Sequence, residues 1–242
     1  MMINSLNNRL EPSIKHYLRN VYASLVMSNL AAAVGASIHL FTNISSAGGS
    51  VLLVLSTIAE MLLFFVLILS PDHDGISTAK RLGYLLGFSI LSGFNLGPLL
   101  RAALMIDPSI LVNAFLAASG VFFSFTICAL FSETGEWMFL GGVLITFWEA
   151  LIVVSLANII FGSTLLWEVD VYLKLFILCA FILYETQAII EQRRMGNKDV
   201  AAHSLYLFVS VFGIFRNILI ILNQETTQAI RRTNTEGSEE NN

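Results

Sequence analysis

Residues 138–161 of this chain read MFLGGVLITFWEALIVVSLANIIF. The run contains a single charged side chain, Glu149, and exceeds the ~20 apolar residues that a helix needs to cross a bilayer. Trp137 and Trp167 flank it, as expected of aromatic side chains at a membrane–water interface. The run therefore predicts a transmembrane helix.

Five more strongly apolar runs surround this one, and they cover residues 21–41, 51–69, 82–100, 109–131 and 169–190. A seventh run, 203–222, is less apolar. Of the 242 residues, 56% are hydrophobic and only 12% are charged, whereas about a quarter of a soluble domain is charged. The sequence predicts an all-α polytopic membrane protein, a bundle of seven transmembrane helices of which the seventh is weakly apolar.

Charge distribution divides the chain into three parts. Residues 1–20 are interpreted as a cytosolic N-terminal segment, 21–222 as the transmembrane bundle, and 223–242 as a disordered polar tail. Basic residues concentrate on the N-terminal side of the predicted membrane, namely Arg9, Lys15, Arg19, Lys80, Arg81, Arg193, Arg194 and Lys198, whereas the opposite loops contain Arg101. The positive-inside rule then places the N-terminus in the cytosol. Arg231 and Arg232 would prefer the same side, so either the rule fails for the tail or the seventh segment is re-entrant.

Small residues in the third run predict close helix packing. Gly83/Gly87 and Gly93/Gly97 form two small-xxx-small pairs, which let helix backbones approach. We expect them to pack inside the bundle rather than to form a dimer interface. Residues 43–45 form a glycosylation sequon that we expect to be unmodified, and residues 72–75, DHDG, read as a turn rather than a metal loop.

Among the ionisable side chains within the predicted spans are Glu60, Glu149, Lys174, Glu185 and Arg216. Such groups are costly in a bilayer and need a structural or functional explanation. Lys174 lies close enough to a helix end to snorkel to the interface. The two carboxyl groups nearest mid-membrane, Glu60 and Glu149, could be protonated, paired with Arg216, or facing an aqueous cavity.

Glu185 has the most favourable surroundings, because the seventh segment carries a polar and small stripe at helical spacing. The stripe consists of His203, Tyr206, Ser210, Gly213 and Asn217, and the other face of Leu205, Phe208, Val209, Phe212 and Phe215. We expect the stripe to meet Glu185 inside the bundle. It would form either an ion or proton path, with weak, transient Ca²⁺ binding at Glu185, or a hydrogen-bonded polar core that fixes packing.

The chain shows no motif of an intramembrane hydrolase, a metalloenzyme or a cofactor-binding fold. Cys128 and Cys179 both lie in apolar runs, so neither a disulfide framework nor a zinc site is expected. We predict a non-enzymatic protein that has no cofactor and no nucleic-acid partner, and whose main surroundings are the lipid bilayer.

Several short stretches together resemble the Bax inhibitor-1 family. They are Lys80-Arg81-Leu82, Gly97-Pro98, Asp107 to Leu111, Phe139 to Gly142, Ile160 to Ser163, Tyr184 to Glu191, and His203-Ser204-Leu205 with Phe208. Their order and spacing match the family from His16 to Leu222.

This resemblance implies a seven-helix protein of the endoplasmic reticulum membrane, which suppresses programmed cell death and lowers the Ca²⁺ content of the store. It also implies contacts with other reticulum membrane proteins and a pH-sensitive Ca²⁺/H⁺ leak. The family's leak is attributed to two aspartates that share a proton. Carried over, they fall on Glu185 and Ser210, so the second carboxyl group is missing.

Without that second carboxyl group there is no shared proton, and we expect a weaker or displaced pH response. Arg216, which matches a basic residue of the family, could then pair with Glu185 and close the path. Two hypotheses remain open. The chain is an ion-handling protein that uses Glu185 and the stripe, or it is a non-conducting regulator that acts by binding other membrane proteins.

Overall fold

The computed structural model of the protein describes residues 11–42, 47–70, 78–133 and 135–239, and these contain seven helices and no strand. The helices are α1 (Pro12–Phe41), α2 (Ala47–Leu69), α3 (Thr78–Ile106), α4 (Ser109–Phe131), α5 (Leu140–Phe161), α6 (Thr164–Arg194) and α7 (Val200–Glu239). The predicted sequon at 43–45 and the predicted turn at 72–75 lie outside the described residues.

Six of the helices are long and apolar enough to cross a membrane. The chain is therefore an all-α polytopic membrane protein. The weakest candidate is not the last helix, as the sequence suggested: Val200–Thr233 qualifies, whereas α6 does not. Helix α6 has ionisable side chains near both ends, including Asp170 and Lys174 early and Arg193 and Arg194 late. The unbroken α7 also favours a full crossing over a re-entrant segment.

Helix α7 occupies the centre of the bundle, where it contacts α1, α2, α3, α4 and α6. Both of its predicted faces are consequently buried: His203 and Ser210 lie inside, but so do Leu205, Phe208 and Ile214. Most of the polar stripe lies in the interior as expected, and the opposite face is interior as well, because neighbours surround this helix. By contrast, α2 and α5 lie at the periphery and expose many apolar side chains to the lipid.

Helices α1 and α3 make the closest approach in the bundle. A Cβ atom on Gly93 would lie 1.9 Å from the Ala32 carbonyl oxygen, and one on Gly97 would lie 2.1 Å from the His39 ring. The other pair differs, since a Cβ on Gly87 would only touch Leu63 at 3.4 Å and one on Gly83 would meet nothing within 4 Å. Of the two small-xxx-small pairs, only Gly93/Gly97 therefore determines how closely two helices, α1 and α3, approach.

Two predicted boundaries differ from those in the structure. Helix α1 begins at Pro12 rather than at residue 21, because Ile14, Tyr17 and Leu18 are buried against the bundle and proline suits the first helical turn. Helix α7 continues through Glu239, where a disordered tail was expected from residue 223. Residues 223–239 contain no proline and several good helix formers, so nothing in them ends the helix.

Candidate functional site

Glu185 and Ser210 connect α6 to α7 inside the bundle. The Ser210 hydroxyl lies 2.9 Å from Glu185 Oε1 and 3.0 Å from Oε2, so its single proton is shared between both carboxylate oxygens. Ser210 is buried and Glu185 is partly buried. The structure thus brings together the two residues that the sequence paired, and the contact is one between a carboxyl group and a hydroxyl group.

Three further hydroxyl groups, those of Tyr22, Thr126 and Thr186, form a cluster that Tyr22 connects to Glu185. Tyr22 of α1 lies close to Thr126 of α4, to Thr186 of α6 and to the Glu185 carboxyl group. Their oxygens are buried, and none makes a hydrogen bond of good geometry within the described part of the chain. The Glu185 carboxyl group therefore has the Ser210 hydroxyl of α7 as its hydrogen-bond partner and the Tyr22 hydroxyl of α1 nearby. Tyr22 and Thr126 were not among the residues predicted for the site, because neither lies on α6 or α7.

His203 belongs to a separate hydrogen-bond network, which includes a residue of α1. Its Nδ1 lies 2.7 Å from the Tyr17 hydroxyl, and its Nε2 lies 2.9 Å from Gln192 Oε1. Arg193 stacks over the Tyr17 ring at 5.1 Å. His203 is therefore held by α1 and α6 rather than by Ser210, and no nucleophile–base pair forms between Ser210 and His203.

The remaining stripe residues divide between the interior and the surface. Tyr206 is 38% exposed, so it lies outside the path that the stripe was expected to form. Asn217 is buried and donates from Nδ2 to the Gly213 carbonyl at 2.8 Å. Asn217 also lines a cavity of about 520 Å³ bounded by α2, α3, α5, α6 and α7.

This cavity is the main polar space near the site. Its ionisable lining residues are Glu60, Asp170, Lys174 and Arg216. Phe208 and Phe212, whose stacked rings lie 5.3 Å apart, line it on either side of Ser210 along α7. The lining does not include Glu185 or Ser210, so the cavity does not reach their hydrogen bond.

The charged residues predicted within the membrane have different surroundings. Glu60 lines the cavity, where it accepts from Asn95 Nδ2 at 2.6 Å and from the Ser92 hydroxyl. Glu149 instead lies exposed on the outer surface of α5. Arg216 lines the cavity, and the pair with Glu185 that the sequence allowed does not form among the described residues, where Glu185 accepts from Ser210.

Lys174 does not simply snorkel to the interface. Its ammonium group lies 2.6 Å from Asp170 Oδ2 and 2.8 Å from the Ser155 hydroxyl. Asp170 was not among the residues predicted for the site, although its spacing of four residues before Lys174 on a helix predicts such a contact. Within the described residues no group of three or more His, Cys, Asp or Glu side chains is arranged to hold a metal ion.

Comparison with known proteins agrees with this architecture. Residues 14–227 match the family model described as "Inhibitor of apoptosis-promoting Bax1". The human protein Bax inhibitor 1 is 36% identical over 215 residues, covering 89% of this chain and 88% of the relative. Bax inhibitor 1 of Drosophila melanogaster is 36% identical over 236 residues, with 96% and 93% covered. The Arabidopsis thaliana Bax inhibitor 1 is 33% identical over 221 residues, with 90% and 85% covered. The chain belongs to the Bax inhibitor-1 family.

Proposed function

We propose that this chain is an endoplasmic reticulum membrane protein that suppresses programmed cell death and modulates the Ca²⁺ content of the store. The proposal rests on the family match across most of the chain and on relatives named Bax inhibitor 1. The excess of basic residues at the end of the bundle that contains Pro12 supports a cytosolic N-terminus. The proposal includes no enzymatic activity.

The proposed mechanism of cation passage is based on the Glu185–Ser210 hydrogen bond. This bond joins the central helix α7 to α6, and Val209 and Gly213, which flank Ser210 along α7, line the cavity, so we propose this bond as the gate. In the proposed mechanism a cation, Ca²⁺ or H⁺, passes the Glu185 carboxylate when α6 and α7 separate. One carboxylate binds Ca²⁺ weakly, which suits passage rather than storage.

A serine opposite Glu185 changes the expected pH response. Two neighbouring carboxyl groups titrate as a coupled pair, whereas Glu185 and Ser210 present a single titrating group. The leak of this chain is therefore proposed to depend only weakly on pH. Introducing a second carboxyl group at position 210 would restore the coupled pair.

The alternative is a non-conducting regulator that acts through other reticulum membrane proteins. It is favoured by one observation, that the cavity lining stops short of Glu185 and includes the aromatic pair Phe208 and Phe212. In this alternative the Glu185–Ser210 bond fixes the packing of α6 against α7 and has no role in transport.

Ca²⁺ efflux from proteoliposomes at neutral and acidic pH separates the two functions. The variants are Glu185→Gln, Ser210→Asp and the control Glu149→Gln, which removes an intramembrane carboxyl group from the outer surface. A leak requires efflux from the unmodified protein, its loss in Glu185→Gln, its retention in Glu149→Gln, and a steeper pH dependence in Ser210→Asp. Efflux equal to that of empty liposomes for every protein would leave the regulator as the function.

A further inference from the structure

The contacts of Asp170, Lys174 and Ser155 form a closed ring at the side of the cavity. Ser155 donates its proton to Asp170 Oδ1 at 2.9 Å, so its hydroxyl oxygen offers a lone pair to the Lys174 ammonium at 2.8 Å. Asp170 Oδ2 accepts from the same ammonium at 2.6 Å. Two oxygens from two helices, α5 and α6, therefore point at a single position that carries a positive charge.

The position occupied by the ammonium nitrogen has the properties of a small-cation site. Its partners are a carboxylate oxygen and a hydroxyl oxygen, which are the hard ligands that alkali cations prefer. An ammonium group has one charge and nearly the size of K⁺. Ser155, Asp170 and Lys174 all line the cavity, so the site faces this space.

We propose that Asp170 and Ser155 form a binding site for a monovalent cation that this chain fills with its own Lys174 ammonium. The tethered ammonium is present at a high effective concentration, since Lys174 is one helical turn from Asp170. It excludes free K⁺ and Na⁺ from this part of the cavity. The site does not depend on the chain conducting ions.

The test measures cation binding through stability and needs no transport activity. Lys174→Met keeps the length of the side chain and removes its charge, which leaves the site open to a free ion. Its thermal unfolding in nanodiscs is compared in KCl, in NaCl and in the chloride of the bulky cation N-methyl-D-glucamine at equal ionic strength. We expect roughly 2–4 °C higher midpoints in about 150 mM K⁺ or Na⁺ than in the bulky cation.

Three controls test whether the difference in unfolding midpoint arises at this site. The unmodified protein should show no difference between the cations, because Lys174 already fills the position. Asp170→Asn with Lys174→Met should show none either, because the carboxylate is gone. Arg216→Gln added to Lys174→Met removes the other basic residue of the cavity lining, and the shift should persist.

Lys174→Gln, which retains N–H donors for Asp170 and Ser155, serves as a second neutral variant should Lys174→Met fold poorly. Equal midpoints in all three salts for the neutral variants would overturn the proposal. An equal shift in the Asp170→Asn double variant, or in the unmodified protein, would overturn it as well. The ion pair would then only fix α5 against α6.

Discussion

Arg81 and Asp199, 118 residues apart in the chain, form a buried ion pair. Arg81 Nε donates to Asp199 Oδ1 at 3.2 Å, and Nη2 donates both to Asp199 Oδ2 and to the Leu67 carbonyl, the latter at 3.0 Å. Asp199 also accepts from the backbone N–H of Ala202 at 3.1 Å. The pair therefore connects the end of α2, the start of α3 and the first turn of the central helix.

Replacing Arg81 by Met should destabilise the protein strongly. The Asp199 carboxylate would remain buried without its cation, and breaking a buried pair in this way costs about 3–5 kcal/mol. The measurement is the midpoint of thermal unfolding in nanodiscs. Arg194→Met is the matched control, since its pair with Glu191 is 3.8 Å long and exposed and should contribute at most about 1 kcal/mol. Equal losses in the two variants would contradict the assignment.

Gln187 should also be sensitive to truncation, though less so than Arg81. Its side-chain amide donates to the Glu133 carbonyl at 2.9 Å and accepts from the Trp137 backbone N–H at 3.0 Å, so it joins α6 to the segment between α4 and α5. Gln187→Leu leaves those groups without a partner, at a cost of about 1–3 kcal/mol. Unfolding can be followed by the fluorescence of Trp137 in a background without Trp148 and Trp167. A loss no larger than that of the exposed Gln228→Leu would disprove this role.

Alanine at Gly93 and at Gly83 should act in opposite directions. At Gly93 the added methyl group meets the Ala32 carbonyl at 1.9 Å, so α1 and α3 must separate, with an overpacking cost of about 1–3 kcal/mol. At Gly83 nothing lies within 4 Å, and the higher helix propensity of alanine should stabilise by up to about 1 kcal/mol. Thermal midpoints of the two variants test both signs. A loss at Gly83 similar to that at Gly93 would mean that this part of α3 also packs tightly.

Asp107, between α3 and α4, predicts a pH effect of known sign. The Ser109 backbone N–H donates to Asp107 Oδ1 at 2.8 Å, and this bond together with the Ser109 hydroxyl holds the pKa of the carboxyl group below its usual range. Its stabilisation is complete above the unfolded pKa of about 3.9 and disappears as the pH falls through the folded value. Asp107→Asn should therefore unfold at a slightly lower temperature than the unmodified protein at pH 7, and at the same temperature near pH 2. A constant gap across this range would exclude the charge as its cause.

The sequence predicted the membrane helices well, because a helix that crosses a bilayer contains a long apolar run. It predicted the contact between residues 185 and 210 from helical spacing and a short connection. It gave no sign of the Arg81–Asp199 pair, since nothing local connects two residues so far apart. From the sequence, Arg81 was interpreted as one of the basic residues that set the membrane orientation. It is buried because α2, α3 and α7 meet around it.

The burial pattern of α7 could not be predicted from the sequence either. Its sequence separated a stripe of polar and small residues from a face of Leu, Val and Phe residues, and only the stripe was given a position inside the bundle. A helix at the centre needs no lipid-facing side, so polar and apolar residues occur all around it. Composition alone does not distinguish a central helix from a peripheral one when both carry polar groups.

The central position of α7 has a consequence for biosynthesis. Of the described helices it leaves the ribosome last, so the other six enter the bilayer before the surface that most of them share exists. Until then Glu185 lacks the Ser210 hydroxyl, and Arg81 lacks the Asp199 carboxylate. A ribosome that stalls within α7 would release an inserted but unfinished protein whose central helix is incomplete. Such a product should be a substrate for membrane quality control, and the protein's abundance should respond sharply to mutations in its last helix.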